Sequence, residues 1–261
     1  MKYLKKSLGQ NFLIDKNIVK KILGLSNLNN KNIIEIGPGK GSLSDEILKK
    51  KPKSLVLIEK DNNLSEFLVN KYKTNKIVKI INIDILKFKL QNLNKKNQII
   101  LGNLPYNISS QILIKILKIK NIEKKFTDVI LMFQKELAQK IIGKYPSKDY
   151  GRLSIITGFK LQVVKKFLVS FNCFFPKPKV TSMVIHFKPH KKYKFNIKEL
   201  SNLEKITNIL FSNRRKKINK NIKKILETNK MNQIRDLNTN LRPENLAPEI
   251  FYKITELYEM N

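Results

Sequence analysis

Apolar residues along the first two-thirds of the chain fall into short runs separated by amphipathic stretches. Runs rich in Ile, Leu and Val at Asn32–Ile36, Ser54–Glu59, Val78–Asn82, Gln98–Leu101, Asp128–Phe133, Lys165–Val169 and Met183–Phe187 read as strands. Between them, Ser42–Lys49, Asn63–Tyr72 and Ser110–Leu117 space their apolar positions three or four apart and read as helices. Strands alternating with helices predict an α/β fold, a doubly wound and mostly parallel sheet whose ligands bind beyond the carboxyl ends of the strands. After Pro189 the pattern changes. From about Ile197 onward the spacing is helical without strand alternation, with breaks near Asn213 and at Arg242–Pro243. The expected organisation is one α/β domain over residues 1–189 and a small all-α domain over 190–261.

The first strand runs into Glu35-Ile36-Gly37-Pro38-Gly39-Lys40-Gly41-Ser42. Glycines at such a turn let the backbone bend sharply and approach a ligand, with the next helix presenting free N–H groups. Glu59 ends the second strand, where a carboxylate can accept from both ribose hydroxyls. Asp84 follows the third strand, placed either to accept from an adenine amino group or to cap a loop. The glycine spacing is G-x-G-x-G, not the G-x-G-x-x-G of a dinucleotide site, and no feature suits a pyrophosphate. A nucleoside-like ligand with an uncharged or cationic tail fits better. S-adenosylmethionine is such a ligand, with a nicotinamide cofactor as the alternative.

The fourth strand leads into Gly102-Asn103-Leu104-Pro105-Tyr106-Asn107. Pro105 fixes its own φ and biases Leu104 towards an extended conformation, so the Asn103 amide and the neighbouring backbone project from the strand end. An amide oxygen and a carbonyl can both accept from an exocyclic amino group, and Tyr106 offers a face on which a base can stack. An adenine amino group is a poor nucleophile because its lone pair is delocalised into the ring. Two acceptors outside the ring plane favour a pyramidal and more reactive nitrogen, so positioning and electrostatics replace a strong base. Further on, Cys173-Phe174-Phe175-Pro176-Lys177-Pro178-Lys179-Val180 is an aromatic loop stiffened by two prolines. Two readings of Phe174 stand open: the wall of a base pocket opposite Tyr106, or a residue of the core.

Composition narrows the setting. The chain has 261 residues, 41% of them hydrophobic, enough to bury a core and too many for a disordered chain. No run approaches the roughly 20 apolar residues of a membrane span. The opening MKYLKKSLGQNFL lacks the apolar stretch of a secretory signal, so the expectation is a cytoplasmic protein with no membrane partner. With Cys173 as the single cysteine, neither a disulfide framework nor a cysteine-based metal site is expected, and no metal is assigned. The balance of 53 basic against 20 acidic residues, net +33, points to a polyanion, most commonly nucleic acid. Coding DNA rich in A and T produces a similar skew, because it favours Lys, Asn and Ile and leaves Arg scarce. Residues 1–189 carry net +25 and residues 190–261 net +8, similar densities that single out no binding domain. The pair Arg214–Arg215, followed by Lys216, Lys217, Lys220, Lys223 and Lys224, reads either as a basic helix holding phosphates or as a solvated face.

Taken in order, these motifs resemble the family of ribosomal RNA adenine N6-dimethyltransferases, in its bacterial small-subunit form. The resemblance covers nearly the whole chain. It runs from Gly9-Gln10-Asn11-Phe12-Leu13 through Glu35-Ile36-Gly37-Pro38-Gly39, Asn103-Leu104-Pro105-Tyr106 and Gln134-Lys135-Glu136. It continues through Tyr150-Gly151-Arg152-Leu153-Ser154, Phe174 to Val180 with Ser182, Asn213-Arg214-Arg215-Lys216-Lys217, and Arg242-Pro243-Glu244-Asn245. It implies a Rossmann-like class I methyltransferase domain with a helical C-terminal RNA-binding domain. It also implies S-adenosylmethionine as cofactor, lined by Asn11, Leu13, Gly37, Gly39, Glu59, Asp84 and Asn103. Catalysis would fall to Asn103, Leu104, Pro105, Tyr106 and Phe174, with RNA held at Arg214, Arg215, Lys216 and Lys217. The implied substrate is a pair of adjacent adenosines in the 3′-terminal hairpin of 16S ribosomal RNA in the immature small subunit, with the enzyme a monomer.

Three other readings are open. A large-subunit ribosomal RNA adenine methyltransferase shares the catalytic motifs, although Tyr150–Ser154 and Asn213–Lys216 favour the small-subunit form. A DNA adenine methyltransferase would more typically carry Pro in place of Leu104. An RNA-binding assembly factor whose catalysis is incidental would not need Glu59 and Asn103–Tyr106 intact.

Overall fold

The structure, a computed structural model, describes residues 11–90, 93 and 95–260. In chain order its elements are β1 (Phe12–Leu13), α1 (Lys16–Leu23), β2 (Asn32–Ile36), α2 (Ser42–Lys49), β3 (Ser54–Glu59), α3 (Asn62–Lys71) and β4 (Val78–Asn82). Then follow β5 (Gln98–Asn103), α4 (Ser109–Leu117), α5 (Ile122–Lys125), β6 (Phe126–Gln134), α6 (Lys135–Ile141) and α7 (Arg152–Lys160). The chain continues through β7 (Leu161–Val169), β8 (Phe174–Phe175), β9 (Ser182–Pro189), α8 (Leu200–Phe211), α9 (Asn219–Ile222), α10 (Thr228–Met231) and α11 (Pro248–Tyr258). No helix among the described residues is long and apolar enough to cross a membrane.

Among the described residues, seven strands form one sheet in the order β4-β3-β2-β5-β6-β9-β7. β2 pairs in parallel with both β3 and β5, β3 with β4, and β5 with β6, whereas β9 runs antiparallel to β6. The strands Ile33–Ile36 and Leu55–Glu59 are buried at every position, as expected where helices cover both faces of a parallel sheet. Helices α1 and α3 begin at aspartates whose carboxylates accept from the first free amides: Asp15 from Asn17 and Ile18, Asp61 from Asn63 and Leu64. α1 turns Val19, Ile22 and Leu23 inward, towards the core formed with Ile33, Leu55, Leu57 and Leu101.

A second, two-stranded sheet joins distant parts of the chain: β1 pairs antiparallel with β8, Phe12 opposite Phe175 and Leu13 opposite Phe174. Alternation along strands sends Leu13 and Phe174 to one side, where both are buried at 3% and 1% exposure in the core beside Val19, Val169 and Val184. Of the two readings of Phe174, the structure gives the core one.

By packing, the chain divides into two compact units. One contains the residues up to Ala138 together with Gln162–Pro189, the other Gln139–Leu161 together with the residues from His190 onward. The first unit's second stretch ends at Pro189, and the stretch 139–161 groups with the residues from His190 onward and not with the rest of 1–189. The reason lies in its buried side chains. Tyr150 donates to the carbonyl of Leu246, Tyr252 donates to the carbonyl of Ile155, and the rings of Phe159 and Tyr252 lie 5.2 Å apart. Phe211 of α8 stacks on Phe251 of α11 in the same unit. Arg214–Lys217 lie in a turn after α8 rather than on a basic helix, the next helix being the four-residue α9.

Phe174→Ala should remove about 3–5 kcal/mol of unfolding free energy by opening a cavity in this core, read by denaturant titration. A loss below about 1 kcal/mol would put the ring back at a ligand-facing surface.

Candidate active site

The in-register pairing of β2 with β5 sets Ile36 beside Gly102, and that of β3 with β4 sets Glu59 beside Asn82, so the loops leaving these strands share one edge of the sheet. A cleft of about 1050 Å³, counting space open to solvent, lies at this edge. Gly37 and Gly39 line it, as do Glu59, Asp84 and the consecutive residues Asn103, Leu104, Pro105 and Tyr106. Asn11 and Leu13 close it from the N-terminal side, while Gly9 and Gln10 of the same motif lie outside the described residues. Phe174 is not among the lining residues, and Arg214–Lys217 belong to the other unit.

The glycine turn is shaped by conformation and by closeness. Gly37 and Gly39 have φ of +69° and +57°, in the left-handed region that side chains disfavour. A Cβ at Gly39 would stand 2.7 Å from the Phe12 ring, and one at Gly37 3.4 Å from the Asn103 carbonyl oxygen. The turn is braced from behind. Lys71 donates to the Lys40 carbonyl and to Asp45, whose other oxygen accepts from the Tyr72 hydroxyl.

Three carboxylates face or adjoin the cleft. Glu59 is nearly buried and accepts from the amides of Gly39 at 3.2 Å and Asp61 at 2.9 Å. Burial pushes its pKa up and these amides pull it back. Asp84 lines the cleft, and of its two readings the contacts it makes show the cap. Its Oδ1 accepts from the Leu86 amide at 2.9 Å and caps the turn, while its Oδ2 pairs with the Lys60 ammonium at 2.8 Å. The Lys60 hydrogen bond holds this carboxyl below its usual range. Glu35, at 1% exposure, accepts from the Ser44 hydroxyl at 2.6 Å, and burial pushes it up to about 7 against that bond.

On the opposite side the Asn103 amide nitrogen donates to the Asn11 carbonyl at 2.9 Å, which fixes the amide and leaves its oxygen as the acceptor. The Tyr106 hydroxyl bonds the Ser182 hydroxyl at 2.5 Å, so the first residue of β9 holds the ring in place. Burial raises the pKa of this phenol, which therefore stays neutral.

Sequence reasoning missed Lys60 and the service of Glu35 and Ser182. Ser182 does close the proline-rich motif, but its bond to Tyr106 joins residues 76 positions apart and leaves no periodic trace. The donor set fits S-adenosylmethionine. The carboxylates of Glu59 and Asp84 disfavour a phosphate, whereas carboxylates, backbone amides and a glycine cradle suit ribose hydroxyls and a cationic tail.

Glu35 also makes stability depend on pH. Its folded-state pKa lies above the unfolded value, so the folded protein holds the proton longer and stability falls as pH rises from about 4.5 to about 7. Glu35→Gln should flatten that decline by about 3 kcal/mol relative to the unsubstituted protein, read from denaturant midpoints at pH 4.5 and 8. Parallel pH profiles would show that the carboxyl is not desolvated.

The description "Ribosomal RNA adenine dimethylase" matches residues 1–260. The chain is 43% identical to the ribosomal RNA small subunit methyltransferase A of Pelagibacter ubique, over 98% of this chain and 97% of that one. It is 39% identical to the same-named protein of Malacoplasma penetrans, over 97% and 91%. Among solved structures it resembles a dimethyladenosine transferase from Plasmodium falciparum, with a TM-score of 0.76 at 23% identity over 93% of this chain and 95% of that one. It also resembles the 23S rRNA methyltransferase ErmE, with a TM-score of 0.71 at 21% identity over 95% and 100%. These last two likenesses establish the class I methyltransferase fold, and the match along the sequence establishes more: the chain belongs to the ribosomal RNA adenine dimethylase family.

Proposed function

We propose that this protein dimethylates the N6 amino group of two adjacent adenosines in the 3′-terminal hairpin of 16S ribosomal RNA during small-subunit assembly, with S-adenosylmethionine as methyl donor. The observation that carries this reading is the Asn103 amide, a residue of the cleft that the glycine turn also lines, whose nitrogen is engaged by the Asn11 carbonyl and whose oxygen is left as the acceptor. The cofactor supplies, when bound, an electrophilic methyl group on a sulfonium. Glu59 would hold the ribose hydroxyls, Asp84 the adenine amino group, and the backbone of Gly37–Gly39 the neighbouring tail. For Asp84 the ligand competes with Lys60, whose ammonium occupies one carboxylate oxygen.

The target adenine would stack on Tyr106, held in position by Ser182. Its amino group would donate to the Asn103 side-chain oxygen and to a backbone carbonyl of the Asn103–Pro105 turn. Acceptors outside the ring plane localise the nitrogen lone pair, and the rigid turn holds them without reorganisation. No side chain needs to act as a strong base, because the methylated amine loses its proton readily to water. Leu104 and Pro105 fix the backbone that carries both acceptors.

Of the four basic residues at 214–217, Arg214 is occupied within its own unit. Its guanidinium binds Glu244 at 2.7 Å and the carbonyls of Lys148 and Tyr150. Arg215, Lys216 and Lys217 are exposed and are the stronger candidates for phosphate contacts. The protein would act as a monomer in the cytoplasm, where its ribosomal substrate is assembled.

Transfer of labelled methyl to unmethylated small subunits, followed by nucleoside analysis, tests the reading. N6,N6-dimethyladenosine in the terminal hairpin supports it, and label confined to large-subunit RNA would replace it. Asn103→Ala should abolish transfer while cofactor affinity stays within about tenfold, measured by calorimetry; a mutant working at the normal rate would remove the proposed role of the amide. Neutralising Arg215, Lys216 and Lys217 together should flatten the log–log dependence of RNA affinity on salt by up to ~2 units, whereas Arg214→Gln should mainly lower thermal stability. An unchanged slope would return the three residues to a solvated face.

A further inference from the structure

The turn that carries Phe174 also carries Phe175, whose ring is 46% exposed although large aromatics favour burial. Its position is set by the short β1–β8 ribbon. Leu13 and Phe174 point into the core, so alternation puts Phe12 and Phe175, which are cross-strand partners, on the other side. Phe12 lines the cleft. Phe175 is thus the cross-strand neighbour of a residue that lines the cleft. Ile14, the residue after β1 and tied to the Cys173 carbonyl at 2.9 Å, is 57% exposed.

The surroundings select the occupant. Lys177 and Lys179 are exposed in the same loop as Phe175, and Lys16 is exposed beside the ribbon. An aromatic face flanked by cations and continuous with a base-binding cleft suits a nucleic-acid base, whose ring stacks while its phosphates meet the lysines. A protein partner would more often be met by a broader apolar patch with the charges at its rim.

We propose that Phe175 is a positioning residue for RNA: a stacking platform for the unpaired base next to the adenosine seated against Tyr106. This rests on the function proposed above and adds to it a second base-binding position. It gives the chain a means to hold two neighbouring bases in different environments, one in the cleft and one on its rim.

The test is steady-state methylation of small-subunit RNA by Phe175→Ala, Phe175→Leu and Phe175→Tyr. Phe175→Ala should lower kcat/KM roughly five- to 100-fold, mainly through KM. Phe175→Tyr should stay within about twofold of the unsubstituted protein, and Phe175→Leu should resemble Phe175→Ala. Affinity for S-adenosylhomocysteine should not change in any of them, which also shows that the cleft is intact. With 2-aminopurine replacing the base beside the target adenosine, binding should quench fluorescence for the unsubstituted protein and Phe175→Tyr but not for Phe175→Ala. Equal kcat/KM for Phe175→Ala and the unsubstituted protein, or full activity of Phe175→Leu, would overturn the stacking role while leaving the methyltransferase reading in place. Loss of self-association in Phe175→Ala with unaltered RNA kinetics would assign the ring to a second copy of the chain instead. If the unsubstituted protein methylates no ribosomal RNA, the proposed function fails and this inference fails with it.

Discussion

The parallel pairing of β2 with β5 is the constraint on which the site depends. It places Ile36 level with Gly102, so the glycine turn and the Asn103–Tyr106 turn leave the sheet side by side. A shift of one residue in this register would reverse the facing of every side chain along the strand. Both strands are buried along Ile33–Ile36 and Gln98–Gly102, so such a shift is strongly disfavoured. The close approach of Gly37 to the Asn103 carbonyl shows how little space separates the two turns. Precision in the site is thus inherited from hydrophobic burial in the sheet.

The electrostatics of the cleft run against those of the chain. A protein of net +33 concentrates Glu35, Glu59 and Asp84 at one sheet edge. Each carboxylate is controlled differently: Glu59 by backbone amides, Asp84 by the Lys60 ion pair, Glu35 by burial and a serine. A positive background of this size attracts polyanions over long range, whereas acidic groups at the cleft disfavour a phosphate there.

Much of this was legible in the chain. The boundaries of β2 and β3 coincide with the apolar runs because strands buried on two faces leave continuous Ile, Leu and Val signatures, and those of β4, a half-exposed edge strand, coincide as well. β7 was legible only from Lys165, since its first half exposes Val163 and Val164 without alternation at an edge of the sheet. Residues at the carboxyl ends of strands could be named because turn chemistry and strand ends are local. Contacts between distant segments could not. Asn103 meets Asn11 across 92 positions, and the burial of Phe174 depends on a two-residue ribbon too short to have a period. The membership of 139–161 in the second unit was hidden for the same reason: a linear reading assigns a helix to its neighbours in sequence.

That last feature bears on how such a protein can be divided. The second unit is made of two separated stretches, and neither is complete alone. A gene shortened to end at Pro189 would still encode every strand of the sheet, yet Tyr150, Ile155 and Phe159 would lose the tyrosine, carbonyl and aromatic partners that follow residue 190. The remainder on its own would leave Tyr252 without its acceptor. A cut at Pro189 therefore puts the two halves of these polar and aromatic pairs on separate pieces, and the C-terminal helices are not a self-contained module.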